Sequence, residues 1–215
     1  MTSAEPIYTL YWERLSGAIG PQVLLEEIGA AYRKVCVDMA AGEHRGNAYR
    51  MINPVMRVPA LGLPGGVVIG ETAAIALVLG ERHPGAGLVP AIDDPDRPQF
   101  LFWLVAMATC GYPVFSRACH PEQFTLDETA NETVRLKGER DLEEFFSIIE
   151  KAIGGEPYFL PRGFTALDVY LTMLTEWVID KQALFDKHPK LKRLSAAVAG
   201  RRSYEAVMAD HCVPA

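Results

Sequence analysis

Three short stretches carry groups able to hold a small polar ligand. Asn53-Pro54-Val55-Met56-Arg57-Val58-Pro59 ends in a proline at the start of an apolar run. Proline at a strand start lacks an amide donor. A cis Val58–Pro59 bond would turn the Val58 backbone toward an open edge, where its N–H and C=O would pair with an extended, peptide-like ligand. Arg57 beside it reads as a carboxylate partner or as a solvated surface arginine. Gly70-Glu71-Thr72 lies at a strand-to-helix turn. Helix amides and the Thr72 hydroxyl suit a carboxylate there, and Glu71 suits an ammonium group, although the same pair also serves as a plain helix cap.

Ser16 is the only hydroxyl in the loop expected between the first strand and the first helix. Facing the free amides of that helix, it would donate to a thiolate and lower a thiol pKa; a buried or capping serine is an equally ordinary role. Tyr11 and Trp12 nearby form an apolar wall or fill core. Thr165 and Asp168 stand three apart before an apolar run, the spacing of a structural capping box and not of a catalytic acid. Cys36, Cys110, Cys119 and Cys212 form no CxxC, and His44, His83, His120, His188 and His211 show no metal-ligand spacing. No phosphate loop, Gly-x-Ser-x-Gly elbow or Cys–His nucleophile pattern stands out, so no resident metal is expected.

The elements that must position these groups begin with Ile7–Tyr11, rich in β-branched and aromatic residues and read as a strand. Trp12–Gly20 reads as loop. Pro21 opens a helix with Val23, Leu24, Leu25 and Ile28 inward and Gly29 as its stop. Val35–Val37 reads as a second strand. Pro59–Leu63 and Val67–Ile69, joined by Pro64-Gly65-Gly66, predict a β-hairpin, and Ala73–Leu79 a helix. This order fits a small mixed sheet with helices against it. His83–Pro98 holds Pro84, Gly85, Gly87, Pro90, Pro95 and Pro98 and reads as a linker. Beyond it everything reads as helix. Gln99–Thr109 is apolar on nearly every side, predicting a deeply buried helix interrupted near Gly111-Tyr112-Pro113. Further helices follow through Val134–Ile153, Leu167–Val178 and Pro189–Val198, the last stopped at Gly200.

With 215 residues and 49% hydrophobic side chains, the chain can build a sizeable core. Its formal charge of -6 argues against nucleic acid or an anionic membrane as partner. The first six residues have neither a basic start nor a long apolar run, and Phe100–Ala108 is too short to span a membrane. A cytoplasmic protein in a reducing compartment is expected.

Tyr8-Thr9-Leu10-Tyr11, Leu25-Glu26-Glu27-Ile28-Gly29, the Asn53–Leu61 stretch, Gly70-Glu71-Thr72-Ala73-Ala74-Ile75 and Phe164-Thr165-Ala166-Leu167-Asp168 share an order and separation. Together, over nearly the whole chain, they resemble the soluble glutathione S-transferase family. The resemblance implies a thioredoxin-like glutathione-binding domain over 1–83, a linker over 84–98 and an all-helical domain over 99–215. It implies a cis Pro59, a Val58 backbone that binds the cysteinyl part of glutathione, Arg57 close by, and Glu71-Thr72 on the γ-glutamyl end. The expected reaction joins the glutathione thiol to small apolar electrophiles lying between Trp12 and the Phe102–Phe115 helix, with Phe102, Tyr112 and Phe115 in the pocket. A glutathione-dependent isomerase, dehalogenase or ether-cleaving enzyme is one alternative; a non-catalytic protein that binds a ligand or a protein partner is another. Ser16 is the expected activating residue. Gly17 stands where the bacterial cysteine class has its cysteine, Tyr11 or Trp12 where tyrosine-using members have theirs, and the Trp12–Gly17 loop matches no class cleanly. A homodimer is implied as well.

Overall fold

Tyr8–Trp12 form strand β1, and its first three residues are buried on both faces. The computed structural model describes residues 7–212, so residues 1–6 and 213–215, at the ends of the expected domains, lie outside the described residues. Strand β1 leads into helix α1, Ile19–Glu27, and then into β2, Tyr32–Cys36. A short helix α2, Asn47–Arg50, precedes β3, Ala60–Gly62, and β4, Val68–Gly70. Helix α3, Thr72–Arg82, closes the series. The sheet order is β2-β1-β3-β4. Strand β2 runs parallel to β1, with Tyr8 opposite Tyr32, while β3 is antiparallel to β1 and places Leu61 opposite Leu10. Strand β4 returns antiparallel to β3. Leu10 and Leu61 are fully buried, as are Leu24 and Leu25 of α1 and Ile75 and Leu79 of α3, so the helices' apolar faces and the sheet make one core.

Local chemistry explains the boundaries. The hairpin closes where Leu63 N–H donates to the Val67 carbonyl at 2.7 Å, across Gly65 and Gly66 at φ 103° and 94°. Those angles suit glycine alone. Gly29, at φ 65°, stops α1 as read from the sequence. Most boundaries shift by a residue or more, and three of the shifts have a plain local cause. Trp12 is the last residue of β1 and not loop. Helix α1 starts two residues earlier, since Pro21 still sits in its first turn, where an amide is not needed. Strand β2 begins at Tyr32, because at a sheet edge the polar Arg33 and Lys34 fit a strand whose last four residues are exposed.

The helical part comprises α4 (Arg97–Ala106), α5 (Tyr112–Cys119), α6 (Asn131–Ala152), α7 (Ala166–Thr175), α8 (Lys181–Lys187) and α9 (Pro189–Ala199). Helix α10, Arg202–Cys212, ends the described chain. Met107–Gly111 is a π-helical turn, so α4 and α5 join into one irregular run where the sequence reading had an interruption. That run, 97–119, is 23 residues long and holds an 18-residue window of mean hydropathy 1.3, enough to cross a membrane by length and composition, whereas the apolar stretch read from sequence stopped at Ala108. It packs against α6 and α7. The expected deep burial of this helix is corrected: Phe102 is 60% and Val105 52% exposed. The described residues divide into two compact units, one of residues up to 91 together with those from 199 onward, the other 92–198. Helix α10 therefore packs with the sheet-containing unit, although it follows the helical segment in sequence. All four cysteines are free.

Candidate functional site

The loop before β3 is shaped by two side chains whose roles the sequence reading did not assign. Tyr49 Oη and Asn53 Nδ2 each donate to the Arg57 carbonyl at 2.8 Å, and Asn53 Oδ1 accepts from Val55 N–H at 3.1 Å. Both residues are buried, and burial pushes the Tyr49 phenol up to about 12, so it stays a neutral donor. Asn53 also lies against Gly70, where an added Cβ would come within 3.1 Å of its Nδ2. The Val58–Pro59 bond is cis, as expected, and the Val58 side chain packs in a buried cluster with Ala18, Val37 and Tyr49. The Val58 N–H and C=O have no hydrogen-bond partner among the described residues. Arg57 is exposed and pairs with no carboxylate among them.

Glu71 sits at φ 61° and ψ 113°, a conformation a residue with a Cβ adopts only when its surroundings hold it there. Its exposed carboxylate has no partner among the described residues. Thr72 opens α3, whose first amides have no partners within the helix. Its buried hydroxyl donates to the Gly17 carbonyl at 3.2 Å, tying the start of α3 to the β1–α1 loop. The Thr72 hydroxyl is therefore a fastening of the site's backbone, not the free donor read from sequence.

Ser16 is likewise engaged: its hydroxyl donates to the Glu13 carbonyl at 2.7 Å and accepts from Ala18 N–H at 3.2 Å. The Gly17 amide and the Tyr11 hydroxyl have no partners among the described residues. Tyr11 stands edge-on to Tyr49 at 6.1 Å. Trp12 packs on the Ala18–Val58 cluster, edge-on to His211 at 5.0 Å, with the Lys34 ammonium 4.4 Å from its ring centre. Arg57, Val58, Pro59, Glu71, Thr72, Ser16 and Trp12 thus all fall within one unit, joined by the Thr72–Gly17 bond and the Ala18–Val58 cluster. Cys36 and Cys119 are poor thiolates, since burial and then neighbouring carboxylates push both thiols up. Among the described residues no group of three or more His, Cys, Asp or Glu is placed to hold a metal ion.

In the helical unit, Tyr112 and Phe115 both meet Trp177, at 5.0 and 5.6 Å. Phe115 is 3% exposed and also packs on Phe146, so it fills core and lines no open pocket. Phe102 is exposed and stands edge-on to Trp103 at 4.9 Å. The capping box stands as read: Thr165 N–H donates to Asp168 at 2.7 Å, and Leu167 N–H to the Thr165 hydroxyl at 3.3 Å. Phe159 N–H also donates to Asp168 at 2.7 Å.

Three comparisons bear on this arrangement. Residues 20–82 match the family "Glutathione S-transferase, N-terminal domain". The uncharacterized GST-like protein YncG of Escherichia coli K12 is 29% identical over 168 residues, 75% of this chain and 78% of that protein. The transcriptional regulator URE2 of Saccharomyces cerevisiae is 28% identical over 152 residues, 68% of this chain and 42% of the regulator. Among solved structures, a glutathione transferase homolog from Sulfitobacter with bound glutathione superposes with a TM-score of 0.89 at 24% identity, covering 97% of this chain and all of that one.

Proposed function

From the premise that this chain is a glutathione S-transferase-fold protein, we propose that it binds glutathione and transfers its thiol to small apolar electrophiles. The observation that carries the reading is the pairing of an unpartnered Val58 backbone with an unpaired carboxylate at Glu71 and the free amides of α3. Glutathione is an extended peptide with an ammonium and a carboxylate at its γ-glutamyl end, and it fits that donor set group for group. Val58 N–H and C=O take the cysteinyl backbone as an added strand would. Glu71 takes the ammonium, the α3 amides take the neighbouring carboxylate, and Arg57 offers a charge to the glycyl carboxylate.

The thiol then lies toward the β1–α1 loop. It loses its proton to solvent, and donors of the loop stabilise the thiolate. The thiolate forms a carbon–sulfur bond with the electrophile, whose leaving group departs with its electron pair. Ser16 supplies such a donor only by giving up its bond to Glu13; the Gly17 amide and Tyr11 hydroxyl need no such exchange. A homodimer remains part of the proposal, and the exposed Phe102 and Val105 on α4 favour it. Light scattering tests it against the 23.7 kDa monomer.

A second reading has one observation in its favour. With the Ser16 hydroxyl turned onto its own loop, the protein would bind glutathione without activating it, and its likeness to a transcriptional regulator is consistent with that. A panel of electrophiles with glutathione, run on wild type, Ser16→Ala and Tyr11→Phe, separates the two. Turnover that falls about 100-fold in one variant, with a raised thiol pKa, assigns the donor. Glutathione binding without turnover anywhere on the panel selects the second reading, and absence of glutathione binding refutes both.

A further inference from the structure

His211 lies on α10, in the last described turn of the chain, yet its ring is fully buried against the β1–α1 loop. Its Nδ1 accepts from the Leu15 amide at 3.0 Å, across 196 residues of sequence. A ring nitrogen that accepts carries no proton, so the proton sits on Nε2, which donates to Gln22 Oε1 at 3.1 Å. Gln22 is itself buried in α1, and its Nε2 donates to Asp210 at 2.7 Å. Asp210 in turn pairs with Lys34 of β2 at 2.5 Å, and Lys34 covers the outer face of Trp12. The Arg14 guanidinium reaches the His211 carbonyl at 3.5 Å. Leu15 is the residue this set holds, and it is at φ 49°, where a leucine stays only if pinned. The next two residues are Ser16 and Gly17.

We propose that His211 is a positioning residue: with its proton on Nε2 it grips the Leu15 amide through Nδ1 and so fixes the backbone of the loop that faces the glutathione thiol. The part concerning the thiol rests on the function proposed above; the grip on the loop rests on the hydrogen bonds alone. The charged groups around the ring are Lys34 from β2, Arg14 from the loop and Asp210 from α10. Burial and then the Lys34 charge hold the imidazole down to about 4, so the gripping form persists through the neutral range.

Nitrogen chemical shifts of the histidines in wild type at neutral pH read the tautomer directly. A proton on Nε2 of His211 is expected, and a proton on Nδ1 overturns the proposal. In His211→Ala, amide exchange at Leu15 should speed up about tenfold relative to β3. The pKa of bound glutathione's thiol should rise by about one unit, with its Kd changed less than about threefold. His211→Asn puts an amide oxygen where Nδ1 was, and should restore both readings. If His211→Ala does not fold, Gln22→Met removes the Nε2 anchor while keeping the ring, with the same expectations. Wild-type exchange and thiol pKa in the variant, or an Asn variant no better than Ala, overturns the assignment. Should wild type fail to bind glutathione, the proposed function falls, while the tautomer and the exchange at Leu15 still decide whether His211 holds the loop.

Discussion

In the proposed function, the backbone offered to glutathione takes its shape at the Arg57 carbonyl, whose two donors can be removed one at a time. Tyr49→Phe deletes one hydroxyl and keeps the ring against Tyr11. Asn53→Ala deletes the second donor, the acceptor for Val55 N–H and the wall beside Gly70. A neutral hydrogen bond is worth about 1 kcal/mol net, so Tyr49→Phe should cost about 1 kcal/mol. Asn53→Ala, losing two bonds, should cost about 2 kcal/mol. Either single variant leaves the carbonyl one donor; the double variant leaves it none, and a bare carbonyl adds roughly a further 1 kcal/mol. The double variant should therefore lose about 4 kcal/mol where the singles sum to about 3, a coupling of about 1 kcal/mol. Urea denaturation at neutral pH measures all three, and Tyr49 stays protonated throughout because its pKa is about 12. Titration calorimetry with glutathione should show affinity falling about threefold in each single variant and tenfold or more in the double. Strict additivity, together with wild-type affinity in the double variant, would refute the idea that this carbonyl aims Val58 at the ligand.

Three further outcomes follow from buried contacts. Asp168→Ala strands the Phe159 and Thr165 amides in a fully buried site and should cost about 2–5 kcal/mol in a denaturant titration; a loss under 1 kcal/mol contradicts the capping box. Gly80→Ala would bring its Cβ within 2.2 Å of Val89 Cγ2, so a lower melting temperature, equivalent to about 2 kcal/mol, is expected, and an unchanged one is inconsistent with the packing. His211 should make the protein acid-sensitive: its folded pKa of about 4 lies below the usual unfolded value of about 6.5. The unfolded chain then binds more protons between those values, so stability is full above about pH 6.5 and declines as pH falls toward 4, by at most about 3 kcal/mol from this group. His211→Asn should lack that decline, and parallel stability–pH curves for the two proteins would count against it.

What could be read from the sequence followed from how local each signal is. The Gly29 stop, the Pro64-Gly65-Gly66 turn and the Thr165–Asp168 box are set by neighbours within a few residues, and all three appear where they were expected. Val58 and Pro59 were legible through the family resemblance, since an X–Pro bond is by itself cis only about 5% of the time. Strand β2 was shortened in the reading because Arg33 and Lys34 look like loop, and only their edge position makes them strand residues. The exposure of Phe102 depends on which face of the almost wholly apolar segment around it meets its neighbours, and an unbroken apolar run carries no period to decide that. Tyr49 carries no motif, and Asn53 stands in the Asn53–Pro59 stretch without an assigned role; their work shows only once both meet one carbonyl. His211 was out of reach altogether, since its partner lies at the other end of the chain.

The polar side chains of this site share a habit that bears on its chemistry. Thr72 donates to the Gly17 carbonyl, Ser16 to the Glu13 carbonyl, Tyr49 and Asn53 to the Arg57 carbonyl, and His211 accepts from the Leu15 amide. In each case a side chain holds backbone, leaving backbone groups at Val58, Gly17 and the first turn of α3 without hydrogen-bond partners among the described residues. A ligand met mainly by main chain constrains the shape of a loop more tightly than the identity of its side chains. Under the proposed function, that lets the Trp12–Gly17 loop depart from every class of transferase while the architecture around it stays intact. It also separates two kinds of variant. Substituting a fastening residue should loosen ligand affinity and stability together, because both depend on the same backbone. Replacing an exposed group such as Glu71 or Arg57 should weaken affinity alone, since neither side chain has a partner among the described residues to lose.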